Sequence, residues 1–201
     1  MRNILIGALV VASYIGCAVV SEAQPAGEQT PTSASAIATR FLEALKVRDA
    51  AIAASLAFPG TTLASQLSKQ LPVVLDYKIV GEMPCSDTLD MDTIRPQLDA
   101  LFTARARQDV KQGLAVFATL KTTHPCLSNV WNFASRGLPE ERLLSLTGLA
   151  SFEARQVVVD VDQFGPGTSK ATRRQSLWLT RLATPSVDTG WFVAGLFQGS
   201  R

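Results

Sequence analysis

Residues 152–164 (FEARQVVVDVDQF), 172–183 (TRRQSLWLTRLA) and 191–198 (WFVAGLFQ) carry the pattern that decides the fold. Each run is rich in β-branched, aromatic and leucine side chains. The breaks between them, Gly165-Pro166-Gly167 and the stretch from Pro185 to Gly190, are turn chemistry, so the three runs predict an antiparallel meander. In the first run Val157, Val159 and Val161 fall on one face and Asp160 and Asp162 on the other, because successive strand side chains alternate. The other two are apolar in both phases: Leu177 and Leu179 against Trp178 and Leu182, then Trp191, Val193 and Phe197 against Phe192 and Leu196. A sheet with one wet face would alternate cleanly. Both faces are therefore expected to be covered, one by helices and the other by an inserted segment or a partner, with a homodimer through the sheet as one candidate.

Ahead of the meander the period becomes helical. Ile37, Phe41, Leu45, Ile52 and Leu56 predict one helix closed by Phe58-Pro59-Gly60, and a shorter helix follows over 62–69. Alternation of Val73, Leu75, Tyr77 and Ile79 predicts a strand over 73–80 that turns Asp76 and Lys78 outward. From Asp92 the helical period returns, with Asp92 or Thr93 as cap and Pro96 in the first turn. Leu114, Val116, Ala118 and Leu120 alternate and predict a second strand. Pro139, Glu140 and Glu141 open another helix, which Gly148 ends. Helices in front and strands behind define one α+β domain over 36–201: N-terminal helices packed on a curved antiparallel sheet that ends in the three-strand meander.

The chain has 201 residues, is 47% hydrophobic and 18% charged, and balances 19 basic against 17 acidic side chains. That composition excludes a disordered chain, and its charge balance offers no electrostatic basis for a nucleic-acid partner. Residues 4–20 carry no charge, Arg2 precedes them, and Ser21-x-Ala23 has the small residues of a cleavage site. The order predicts a signal peptide over 1–23, cut after Ala23. An uncleaved membrane anchor is the alternative, and Tyr14-Ile15-Gly16-Cys17 resembles a lipobox around Cys17. Each reading puts the body of the chain outside the cytoplasm, periplasmic or secreted. Residues 24–35 (QPAGEQTPTSAS) predict a flexible leader. In an oxidising compartment Cys85 and Cys126 are expected to form a disulfide; the competing reading is a thiolate helped by nearby His124.

The helix Ala38-Thr39-Arg40-Phe41-Leu42-Glu43-Ala44-Leu45 and the closing Gly190-Trp191-Phe192-Val193-Ala194-Gly195, behind an export signal, resemble the nuclear transport factor 2-like superfamily. The resemblance spans mainly 37–57 and 150–198. It implies a helix laid across a curved sheet with a cone-shaped cavity between them, and the insertion at 121–150 departs from that pattern. Members include isomerases, dehydratases and cyclases as well as non-enzymatic binding and assembly domains, so the fold does not choose the function.

An enzyme of that kind would place an acid or base inside the cone. The strand carboxylates Asp76, Asp160 and Asp162 fall on the polar phase instead, which argues against a buried general base. Tyr77 and Arg181 are the polar groups in phase with apolar neighbours, and His124 is the sole histidine; these three are the weak catalytic candidates. His124 lacks clustered co-ligands, and Asp87, Asp90 and Asp92 lack the glycine and terminal glutamate of a calcium loop, so no metal site is expected. No phosphate-cradling loop, G-x-S-x-G or C-x-x-C occurs, so no cofactor is expected. The sequence therefore points to an exported non-enzymatic domain that binds a small apolar ligand or an envelope or secreted protein. The alternative is a cavity enzyme of isomerase, dehydratase or cyclase type, with Tyr77 polarising a carbonyl and Arg181 orienting the substrate.

Overall fold

A computed structural model describes residues 33–164 and 169–198, the latter without the side chains of Phe197 and Gln198. The expected signal peptide with its cut after Ala23, Cys17, leader residues 24–32 and the Gly165-Pro166-Gly167 turn lie outside the described residues. Twelve elements follow in order: α1 (Ala34–Lys46), α2 (Ala50–Ser55), α3 (Thr62–Lys69), β1 (Asp76–Asp90), α4 (Met91–Ala106), α5 (Val110–Thr123), α6 (Pro125–Ala134), a 3₁₀ turn (Ser135–Gly137), α7 (Glu140–Ser145), β2 (Leu149–Phe164), β3 (Lys170–Ala183) and β4 (Phe192–Gln198). The strands form one antiparallel sheet in the order β1-β2-β3-β4. The fold is α+β, and its meander is the one the sequence predicts.

The leader gives way to helix two residues early, because Ser33 caps α1 by accepting the Ala36 N–H at 3.2 Å. The single helix expected over 37–56 is two. The chain turns at Arg48, whose φ is 64°, and Asp49 caps α2 by accepting the Ile52 N–H. The same corner recurs at Gln108, with φ 57°, and Asp109 caps α5. Residues 114–120 are therefore helix, not strand. The inward positions of α5 include Gly113, Val116, Phe117 and Leu120, which is helical spacing, whereas Leu114 is 64% exposed.

The strand expected over 73–80 starts at Asp76 and continues to Asp90, so that Asp87 and Asp90 lie in it. Asp90, not Asp92 or Thr93, caps α4, so Pro96 lies inside the helix and beyond its first turn. The helix opened by Pro139 stops at Ser145, short of Gly148.

A bulge at Val80 shifts the register of β1. One extra residue exchanges the faces of a strand. Before the bulge, Tyr77 and Ile79 lie opposite Val161 and Val159; after it, Cys85 and Leu89 lie opposite Ala154 and Ala150, in the other phase of β2. Two cores result, one on each side of the sheet. On one side Phe41, Leu42, Leu45 and Leu67 of α1 and α3 bury Val157, Val159, Val161, Leu177, Leu179 and Val193. On the other, Met91, Ile94 and Leu98 of α4, Leu127, Val130 and Trp131 of α6 and Leu143 of α7 bury Leu89, Phe152, Ala154, Trp178 and Leu182. The second face, apolar in the sequence, is thus covered by helices of the long connection between β1 and β2, of which residues 121–150 form part.

Three links lay α1 along β1: Ser35 to Glu82, Tyr77 to Glu43, and Lys46 to Asp76. Two more fix the insertion. Cys85 and Cys126 form a disulfide with Cα atoms 5.5 Å apart, and the Asp87 carboxylate accepts the Leu127 N–H at 2.7 Å, satisfying an open donor at the start of α6. At β4 the backbones meet directly. A Cβ on Gly137 would stand 2.0 Å from the Ala194 carbonyl oxygen, and one on Gly195 would stand 2.5 Å from the Ala134 Cβ. The outer edge of β4 is closed by Leu56 and Ala57, with the Val193 N–H donating to the Leu56 carbonyl at 2.8 Å.

Candidate functional site

The three residues singled out for chemistry do not converge. Tyr77 lies opposite Val161 and Arg181 opposite Glu153, eight positions apart on β2. At about 3.3 Å per residue that separation is roughly 26 Å. His124 sits elsewhere again, between α5 and α6.

Each also has a structural occupation. The Tyr77 hydroxyl donates to Glu43 at 2.7 Å, and burial under α1, reinforced by the Glu43 carboxylate, pushes the phenol up to about 12. Arg181 grips Asp188 with its Nε at 2.9 Å and a second guanidinium nitrogen, and reaches Glu153 at 3.4 Å. Its hydrogen bond, helped by the Gly190 N–H, pulls Asp188 down to about 2. This ion-paired cluster holds the loop before β4 against the end of β3. At His124 the backbone N–H donates to the Leu120 carbonyl and the backbone carbonyl accepts from Ser128. Cys126 is in the disulfide, so no thiolate stands beside it.

The strand carboxylates face outward, as their phase requires. Arg174 binds Asp160 with two nitrogens at 2.8 and 3.0 Å, Lys170 pairs with Asp162 at 2.7 Å, and Lys46 pairs with Asp76 at 3.0 Å. These cations hold all three carboxyls below the usual carboxylate range, so each is an ionised surface partner and none is a desolvated base. Among the described residues no three His, Cys, Asp or Glu side chains are grouped to hold a metal.

The space between helices and sheet is occupied by fully buried side chains, among them Phe41 and Leu42 on one face and Phe152 on the other. A concave surface lies outside that core. A groove of about 740 Å³ opens beyond the β4 edge, where the turn from Phe58 to Thr62, the end of α4 and the segment from Ser135 to Ser145 come together. Its apolar side is Phe58, whose ring meets Phe192 at 4.8 Å, with Phe102, packed on Trp131 at 4.8 Å, and Leu138. Arg105, Arg136 and Arg142 project from the same walls as Glu140 and Glu141. Arg105 is committed: it donates to Glu140 and to the Ser135 carbonyl at 3.2 Å. The guanidinium groups of Arg136 and Arg142 have no partner among the described residues.

None of these groove residues stands out in the sequence except as a helix end. Arg105, Arg136 and Arg142 are brought together by the chain's path around β4 and share no motif spacing. The chain matches no family model, no curated protein and no solved structure.

Proposed function

We propose that the protein is an exported, non-enzymatic domain that binds another envelope or secreted protein in the groove beyond β4. The observation that carries this reading is the contrast between the groove and the polar residues that the sequence marked for chemistry. Tyr77, Arg181 and the strand carboxylates are paired within the chain, whereas the groove holds two uncommitted arginines beside apolar surface. Small-molecule sites usually enclose most of their ligand, and both cores here are filled with side chains, so an open groove suits a protein segment better than an apolar molecule sealed under the sheet. Export is supported by the uncharged run after Arg2 and by the disulfide, since such bonds persist in oxidising compartments. An N-terminal helix packed on an antiparallel sheet, with Trp191 just before the last strand, also keeps the nuclear transport factor 2-like resemblance as part of the proposal.

The test is photo-crosslinking in intact cells, with a benzophenone amino acid placed at Thr62 in the groove and, as control, at Lys78 on the charged face. A discrete adduct with one protein at Thr62 only, in the extracytoplasmic fraction, is the expected result. The captured protein is then purified, and its binding is expected to be lost in Thr62→Trp, which puts a bulky ring into the groove. Binding that Thr62→Trp leaves unchanged, or adducts of equal yield at both positions, would sink the proposal.

A further inference from the structure

Resting on that reading of the groove, we infer the chemistry of its occupant: a segment carrying a large apolar side chain with a carboxylate close to it in sequence. The floor of the groove supplies the apolar contact. Phe58 is only partly buried although its ring is fixed against Phe192, while Leu138 and Phe102, which also line the groove, belong to the buried core. A rigid aromatic with one side open is what an anchoring side chain needs.

The polar half is the charge count. Three arginines face two glutamates, and the Arg105–Glu140 pair cancels one of each. Arg136 and Arg142 against Glu141 leave the groove with a net positive charge. The two free guanidiniums come from positions on either side of Leu138 and Pro139, one from the 3₁₀ turn and one from α7. A carboxylate near the anchor would therefore meet a planar fork of donors that accepts it in two-point geometry. Such a contact requires no rearrangement of an existing pair. A basic segment would meet unpaired cations, which adds selection against the wrong partner.

A displayed library of random short peptides, selected on the oxidised chain, tests this with purified protein. Sequences enriched on the parent but lost on Thr62→Trp bind in the groove. These are expected to carry an aromatic or large aliphatic residue with Asp or Glu nearby. Synthetic fluorescein-labelled copies are expected to bind about tenfold more weakly to Arg136→Gln and to Arg142→Gln, each loss corresponding to one charge-assisted contact. Both arginines are exposed, and the thermal midpoint of each variant checks that it is folded. Groove-dependent sequences that are neutral or basic, or that bind both glutamine variants as tightly as the parent, would overturn the inference while leaving the groove as a binding site. A selection with no groove-dependent sequence would overturn the groove reading itself, and this inference with it.

Discussion

Tyr77 shows how one side chain changes meaning between alternation and packing. Its phase with Leu75 and Ile79 marks it correctly as facing the helical layer, and the same rule sends Asp160 and Asp162 outward. Alternation does not reveal what waits on the facing element, and here that is Glu43 of α1. A phenol beside a carboxylate and partly withdrawn from water resists ionisation, which holds it near 12. A folded value raised above the unfolded value of about 10 contributes stability that is complete below pH 10 and is lost as pH rises through 12. A chain cut after Ala23 loses Tyr14 and retains Tyr77 as its one tyrosine. Absorbance near 295 nm is therefore predicted to show a single phenol titrating near 12 in the folded protein and near 10 after denaturation. Tyr77→Phe should abolish that signal and flatten the alkaline limb of a stability curve between those values. A folded-state midpoint near 10 would show that Glu43 and burial do not act on this group. The groove arginines mark the opposite limit of residue-level reading. Arg105, Arg136 and Arg142 become neighbours only through tertiary structure, so nothing local announces them.

At the level of elements, the meander strands set apart by turn residues were legible, whereas the alternation over 114–120 misled and the helix corners did not show. The reason is a specific piece of backbone chemistry. Arg48 and Gln108 occupy the left-handed conformation that ends α1 and α4, a position usually held by glycine. At both corners the next residue, Asp49 or Asp109, donates its N–H back to Ala44 or Ala104 at 2.8 Å and caps the following helix with its side chain. Without a glycine to mark the corner, the apolar period runs on through 37–56 as one helix, and α5 loses its visible start. Glycine appears where two backbones touch instead, at Gly137 and Gly195, and these positions support a prediction. Gly137→Ala must push the 3₁₀ turn off β4, because its new methyl would lie 2.0 Å from the Ala194 oxygen. A loss on the order of 2–3 kcal/mol in chemical denaturation is expected, with a similar direction for Gly195→Ala. Gly113→Ala is the contrast: it lies inside α5 with 3.9 Å to its nearest neighbour, Ala104, so it should be neutral or stabilising by up to about 1 kcal/mol. Equal effects at 137 and 113 would contradict the close approach of the two layers.

On the scale of the whole molecule, the sheet is shared between two helical layers that cover different halves of its two faces. The first, α1 to α3, follows directly from N-terminal periodicity. The second, α4 to α7, occupies the long connection between β1 and β2, and it answers the question posed by strands apolar on both sides. This layer depends on attachments of long sequence separation. The disulfide between Cys85 and Cys126 closes 41 residues and lies beside the Asp87 contact to α6. A crosslink over that span restricts the unfolded chain by about 4 kcal/mol in the loop-entropy model. Replacing both cysteines by serine is therefore predicted to lower unfolding free energy by about that amount. Because the bridge ties α6 of the second layer to β1, amide exchange should accelerate first in α5 and α6, while α1 and its partners Val157, Val159 and Val161 keep their protection. The groove draws its walls from both layers, Phe58 to Thr62 from the first and Arg136 to Ser145 from the second. Loosening the second layer should consequently weaken groove ligands in the reduced chain even where the fold survives. Uniform acceleration across both layers would mean that they unfold as one unit, and groove affinity unchanged on reduction would mean that the bridge does not support this site.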